Sequence, residues 1–125
     1  MIHIKEHEVE GDRFEKPFAR VVKHIAAPWT VGTTKMWFGL SIIDPKSRSN
    51  PHRHNDAEEI FYVISGKGKI RVDQEEENVG PGSCVFVPIG MEHQLINEND
   101  EIFKVAAVTS PPFQLQQFND THLKK

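Results

Sequence analysis

The sequence has very little cysteine, no long apolar run and no N-terminal signal. Cys84 is the only cysteine, which excludes an intramolecular disulfide and makes a reducing compartment the default expectation. No apolar segment approaches the roughly 20 residues that a membrane-spanning helix needs. Residues 1–7 also lack the apolar core of a secretory signal. We therefore expect a cytoplasmic protein that does not enter a membrane.

Excess positive charge is also missing. Fifteen lysine and arginine residues face 18 acidic ones, and the net charge is −3 with histidine neutral. The basic residues do not cluster, so no broad positive field is available for nucleic acid, and we expect no nucleic-acid partner. A chain of 125 residues with 38% hydrophobic side chains suits a single domain with a modest core.

Short apolar segments interrupted by Gly, Pro and Asn dominate the sequence. They are residues 37–43, 60–64, 69–73, 84–87, 92–97 and 102–108. Segments this short, this rich in β-branched residues and this regularly broken are typical of an all-β sandwich or barrel. The acidic run 75–77 reads as a solvated hairpin tip.

The two ends of the chain are less regular. Apolar residues in 14–25 fit a helical stripe, but Pro17 and the β-branched pair at 21–22 favour a strand over residues 20–26. Residues 113–125 fit either a short helix or an extended arm. We accordingly divide the domain, 1–125, into an N-terminal arm (1–34), a barrel (35–110) and a C-terminal tail (111–125).

Histidines and a carboxylate recur at suggestive positions. His52 and His54 are two residues apart, so on a strand both imidazoles project from one face and Arg53 from the other. Glu59 begins the next predicted strand, and His93 follows a turn at residues 88–90. Imidazoles with a carboxylate suit Fe, Mn, Ni, Co, Cu or Zn, and suit Ca or Mg poorly. Spacing alone leaves two surface histidines as an equally good interpretation.

The wider pattern resembles a known family. From His52 the chain reads His-x-His, four residues, Glu59, six residues, Gly66. A second pattern begins at Gly82 and reads Gly, five residues, Pro88, x, Gly90, two residues, His93, three residues, Asn97. These resemble the two signature motifs of the cupin superfamily, although Lys46 stands where the first motif opens with glycine.

The resemblance implies a double-stranded β-helix, the cupin or jelly-roll barrel, made of two antiparallel sheets. It implies one divalent transition metal per chain, held by His52, His54, Glu59 and His93. The glycines of the motifs have physical roles as well. Gly66 and Gly82 fit turns that need positive φ, Pro88 can end a strand, and Gly90 lets the backbone reverse before His93.

Glu58 competes with Glu59 for the carboxylate role. The family spacing to Gly66 selects Glu59, and strand alternation then turns Glu58 outward. Alternation also places Phe61 and Val63 beside Glu59, and Leu95 and Asn97 beside His93, which predicts a mostly apolar pocket.

The other chemically interesting side chains receive plainer interpretations. Gln94, Tyr62, Arg48 and Arg53 are weak candidates for substrate contacts, and surface or packing roles suit them better. We expect four aromatic residues to belong to the core and Cys84 to be a small buried hydrophobe. The aromatic residues are Trp29, Trp37, Phe38 and Phe86. The remaining histidines are expected on the surface: His3, His7, His24 and His122.

Three functions fit such a site. The first is an enzyme acting on a small oxygenated molecule, as a dioxygenase, decarboxylase, isomerase or lyase; the carboxylate at Glu59 argues against the thiol dioxygenase branch, which commonly lacks it. The second is a non-catalytic module that binds a small molecule such as a sugar. The third is a metal that only stabilises the fold. The resemblance also implies a homodimer.

Overall fold

The computed structural model describes residues 1–122. This part of the chain forms a short 3-10 turn (Glu6–Glu8), ten β-strands and one α-helix. The strands are β1 Asp12–Phe14, β2 Arg20–Ala26, β3 Trp37–Ile43, β4 Ser47–Arg48, β5 Glu58–Ser65, β6 Gly68–Val72, β7 Glu75–Val79, β8 Cys84–Val87, β9 His93–Asn97 and β10 Phe103–Ser110, and the helix is α1 Leu115–Thr121. Within residues 1–122 no helix is both long and apolar enough to span a bilayer.

Two antiparallel sheets make up the barrel. The larger has the order β1-β2-β3-β10-β5-β8 and the smaller the order β4-β9-β6-β7. Every strand pair is antiparallel, as in a double-stranded β-helix, and the predicted fold class is confirmed. The predicted strand at residues 20–26 is β2, and the C-terminal tail contains a short helix.

Alternation along the strands sends side chains into the space between the sheets. In β5, Glu59, Phe61 and Val63 are 5%, 3% and 0% exposed, whereas Glu58 is exposed. In β9, His93, Leu95 and Asn97 are buried in the same way. The predicted orientation, with Glu59 facing inward and Glu58 outward, is thereby confirmed.

The same alternation corrects two expectations in β8. Val85 and Val87 take the inward positions, so Cys84 and Phe86 project outward. Phe86 is 54% exposed and Cys84 is exposed, and the prediction that both are buried was wrong. Trp37 is buried as expected, at 3% exposure, while Trp29 and Phe38 are only partly buried.

Turns depend on left-handed backbone at the motif positions. Gly66 and Gly82 have φ of 79° and 91°, as predicted. Lys46, which replaces the opening glycine of the first motif, has φ 56°. Its backbone N–H donates to the carbonyl of Asn99 at 3.1 Å. The turn that glycine would make is kept, at a conformational cost of roughly 1–2 kcal/mol for an L-residue.

Two further expectations need correction. Residues Glu75–Glu77 lie within strand β7 rather than at a hairpin tip, which falls on Asp73 and Gln74. His24 is a buried residue at 9% exposure, not a surface one. Trp37 Nε1 donates to His24 Nδ1 at 3.1 Å, which leaves the opposite nitrogen as the donor to Asp12 Oδ2 at 2.9 Å. The polar ring is tolerated inside because both of its nitrogens are satisfied.

Candidate metal centre

Four side chains from three parts of the chain converge inside the barrel. Glu59 is the second residue of β5 and His93 is the first of β9, while His52 and His54 lie in the segment between β4 and β5. One ligand atom from each lies within 4.8 Å of all the others. The structure thus brings together the four residues that the sequence predicted as metal ligands.

Backbone pairing holds this segment against the second motif. His52 donates its N–H to the carbonyl of His93 at 3.2 Å and accepts from the N–H of His93 at 2.9 Å. Gly90 donates to the carbonyl of His54 at 2.9 Å. The sequence placed His52 and His54 on a strand, and this expectation was wrong: they lie outside the regular strands, and a single antiparallel bridge pairs His52 with His93.

Hydrogen bonds on the far side of two imidazoles fix their tautomers. His52 Nδ1 lies 2.9 Å from the carbonyl of Asn50, and His93 Nδ1 lies 3.0 Å from the carbonyl of Met91. A carbonyl can only accept, so each Nδ1 carries a proton, and Nε2 is the nitrogen that each ring can offer to a metal. Histidine ligands of metals are typically oriented by such a contact.

The atoms that face one another at the centre are poorly satisfied. Nε2 of His54 and Nε2 of His93 lie 3.3 and 3.0 Å from Oε1 of Glu59. Within residues 1–122, these three buried atoms nevertheless have no partner in hydrogen-bonding geometry. Buried polar atoms without partners are costly. A divalent cation among them would accept all three lone pairs, so the donor set fits a metal.

The protonation states of His52 and Glu59 suit a cation. At His93 the contact with Glu59 outweighs burial and raises the pKa, so a metal would displace a proton there. Burial lowers the pKa of His52 to about 3, and the nearby charge of His93 acts in the same direction. Burial alone would raise the pKa of Glu59, but its close contacts with His54 and His93 hold that pKa well below the usual range. At neutral pH, His52 is therefore neutral and Glu59 is ionised, which are the forms that bind metals.

A small cavity of about 20 Å³ adjoins these residues. Phe61 and Leu95 contribute apolar walls, as the sequence predicted, and Phe118 of α1 and His122, directly after the helix, line it as well. His122 is not a surface residue: it is partly buried, and its ring centroid lies 4.4 Å from that of His52. Its ring stacks on Phe118, with centroids 4.1 Å apart. The expectation of a surface histidine was wrong because it ignored how α1 packs.

Arg20 is another lining residue that sequence reasoning missed. It takes an inward position at the start of β2 and is 1% exposed. Its guanidinium donates to Phe18 O and Asn50 Oδ1, both at 2.8 Å, and to His122 O at 3.3 Å. Burial lowers its pKa to about 10. The weaker candidates lie elsewhere: Tyr62, Arg48 and Arg53 are exposed, and Gln94 donates to a backbone carbonyl.

Comparison with known proteins places the chain in a family. Residues 39–109 match the model of the cupin domain, and the chain belongs to the cupin family. The polyketide synthase CurC of Streptomyces cyaneus is 31% identical over 90 residues, which are 72% of this chain and 58% of that protein. The chain thus spans little more than half the length of that relative.

Two further comparisons cover nearly the whole length of both partners. An uncharacterized protein of Methanocaldococcus jannaschii is 25% identical over 117 residues, covering 90% of this chain and 93% of that protein. A protein of Thermotoga maritima, described as a predicted oxalate decarboxylase, superposes with a TM-score of 0.79. The superposition covers 87% of this chain and 98% of the Thermotoga chain. At 18% identity, this similarity is one of fold.

Proposed function

We propose that this cupin is a metal-dependent enzyme acting on a small oxygenated molecule. Its metal would be one divalent transition ion held by His52, His54, Glu59 and His93. The observation that carries the proposal is the convergence of buried, unsatisfied Nε2 and carboxylate atoms on one point. Such a set has no better partner than a cation, and three imidazoles with a carboxylate select a first-row transition metal or zinc.

The protein's own residues would shape the reaction. A metal in this site would supply an electrophilic centre that binds and polarises an oxygen of the substrate. Phe61, Leu95 and Phe118 give the space beside that point mostly apolar walls and leave little room for water. Thr109 Oγ1 donates to Glu59 Oε2 at 3.2 Å, which fixes the carboxylate and leaves Oε1 directed at the site. The enzyme-like names of two similar proteins, CurC and the Thermotoga protein, favour catalysis.

A non-catalytic binding role is the second candidate. The cavity is small, and apart from the proposed ligands its titratable lining groups in residues 1–122 are Arg20 and His122. A narrow, mostly apolar pocket with few polar groups would suit a small retained ligand. A metal that only stabilises the native state is the third candidate, since any ion that binds the native state alone raises stability.

Turnover measurements separate these candidates. Protein loaded in turn with Mn, Fe, Co, Ni or Zn is incubated with small keto acids, diketones and sugar derivatives, while oxygen uptake and substrate loss are followed. We expect metal-dependent turnover that Glu59→Gln abolishes and the outward-facing control Glu58→Gln retains. If a compound binds but is not turned over with any metal, the enzyme proposal is overturned and the non-catalytic binding role is supported. If metal raises stability but no compound binds or reacts, the structural role is supported.

A further inference from the structure

Arg20 is a buried cation that has no anion beside it. All three of its hydrogen-bond acceptors are neutral: two backbone carbonyls and the amide oxygen of Asn50. The Phe14 ring lies 4.1 Å from its guanidinium carbon. Within residues 1–122, no aspartate or glutamate forms an ion pair with it. A buried charge is costly unless it is paired. An unpaired guanidinium at the cavity wall therefore favours a bound anion as its partner.

The charge balance of the cavity also favours a bound anion. Among the lining side chains of the described residues, Arg20 and Glu59 carry the formal charges, histidines aside. One positive and one negative charge cancel, so both charges of a bound divalent metal would remain uncompensated. In a site shielded from water, that excess favours a negatively charged ligand.

We propose that Arg20 binds the carboxylate of the ligand, and that this cavity takes small carboxylic acids with a second oxygen facing the metal site. The inference rests on the metal centre proposed above. A guanidinium has five N–H donors in a planar fork that matches a carboxylate. Three contacts to the protein are made, which leaves donors for the ligand.

Binding must displace part of α1. A cavity of about 20 Å³ holds one water rather than an organic acid, since a water needs roughly 10–15 Å³ by the same kind of measure. Arg20 donates a hydrogen bond to the carbonyl of His122 at 3.3 Å, and Asn50 Nδ2 donates one to the carbonyl of Thr121 at 2.9 Å. A ligand carboxylate is a stronger acceptor than these carbonyls. It therefore replaces His122 O at Arg20 and releases the end of the helix.

Titration calorimetry on the full chain tests the assignment. Zn²⁺-loaded protein is titrated with pyruvate and with pyruvamide, which has the same shape but no charge. We expect wild type to bind pyruvate at least about tenfold more tightly than pyruvamide. Arg20→Gln should remove that preference, whereas Arg48→Gln, which removes an exposed charge away from the cavity, should retain it. Faster amide exchange in Leu115–Thr121 with pyruvate would support displacement of the helix.

A second variant covers the case in which Arg20→Gln does not fold. Asn50→Asp keeps the guanidinium and supplies it with a built-in carboxylate, so pyruvate binding should weaken at least about tenfold. Equal binding of pyruvate and pyruvamide by wild type, or no binding of either, would overturn the inference. So would a folded Arg20→Gln that still prefers pyruvate, and unchanged amide exchange would contradict the helix displacement. Zinc content of each sample separates this failure from loss of the metal centre, which would overturn both proposals.

Discussion

His52 and His93 pair through their backbones, each accepting a hydrogen bond from the other's N–H, at 2.9 and 3.2 Å. Their ring centroids lie 4.3 Å apart. The bridge joins the first motif to the second, so the separation of the two imidazoles is set by main-chain atoms. Replacing either side chain should therefore remove a metal ligand without dismantling the site around it.

Asn97, the last residue of the second motif, is predicted to stabilise the fold rather than bind metal. It is 1% exposed, and its amide nitrogen donates to the carbonyls of Ile43, Asp44 and Glu101 at 3.2, 3.0 and 2.7 Å. Asn97→Ala leaves these carbonyls short of a donor and should cost about 2–4 kcal/mol of unfolding free energy. Chemical denaturation measures it, with exposed Asn78→Ala as control. Equal stabilities for the two variants would refute this role.

Gly66 should tolerate alanine far less well than Gly82. Both have positive φ, so alanine is strained at either position, by about 1 kcal/mol. At Gly66, a Cβ would also lie 2.2 Å from the carbonyl oxygen of Ile102, whereas nothing lies within 4 Å at Gly82. We expect Gly66→Ala to lower Tm clearly more than Gly82→Ala. Matching melting temperatures would show that the backbone at Gly66 can move away freely.

The ion pair of Arg13 and Asp44 should make stability depend on acid. Arg13 Nη1 donates to Asp44 Oδ1 at 2.8 Å, and its guanidinium lowers the pKa of that carboxyl from its ordinary value of 3.8. A lowered carboxyl pKa stabilises the fold above pH 3.8, and the contribution disappears as the pH falls through the lowered value. The pair is partly exposed, so Asp44→Asn should cost only about 0.5–1 kcal/mol at pH 7.

Denaturation of Asp44→Asn and wild type across pH 2–7 checks this acid dependence, since the carboxyl titrates within that range. The difference in unfolding free energy should shrink toward the acid end. Asp100→Asn, which removes an exposed carboxylate 3.6 Å from Lys46, is the matched control. A difference for Asp44→Asn that stayed constant down to the lowest pH would mean that charge is not its source.

A homodimer remains a prediction. The N-terminal strand β1 pairs with β2 of its own chain, so it extends its own sheet. The outer face of β5 and β8 exposes Ile60, Tyr62 and Phe86 by 45%, 51% and 54%. We predict that a second copy covers this face, because neighbouring apolar side chains of this size are a typical interface feature. Light scattering at micromolar concentration should give twice the chain mass, and Phe86→Glu should halve it; a monomeric wild type would refute the dimer.

The four candidate metal ligands were predictable because their types and spacing resemble the two cupin motifs, whereas the spacing of His52 and His54 alone also allowed a surface role. His-x-His, a carboxylate and a later histidine are spaced as in the two cupin motifs, and the motif spacing to Gly66 selected Glu59 over Glu58. The strand at residues 20–26 was also predictable, since Pro17 and the β-branched pair outweighed the helical stripe. Lys46 departs from the motif, yet it takes the left-handed conformation that glycine would have taken.

Arg20 and His122 were not predictable because their roles arise from tertiary packing. Alternation with Val22 and His24 could have placed Arg20 inside, but an inward arginine contradicts the usual burial of charged residues. His122 enters the cavity only because α1 lies across it. Phe86 and Cys84 were misassigned by residue type alone, although their alternation with the buried Val87 was available from sequence.

The most direct test of the account is the metal content of protein purified without added metal or chelator, measured by elemental analysis. Wild type and the exposed-residue control Glu58→Ala should each carry about one transition-metal ion per chain. His52→Ala and His93→Ala should fold, since the bridge between their backbones remains, and should lose most of that metal. Unchanged metal in both histidine variants, or a wild type that neither carries nor takes up metal, would contradict the proposed centre.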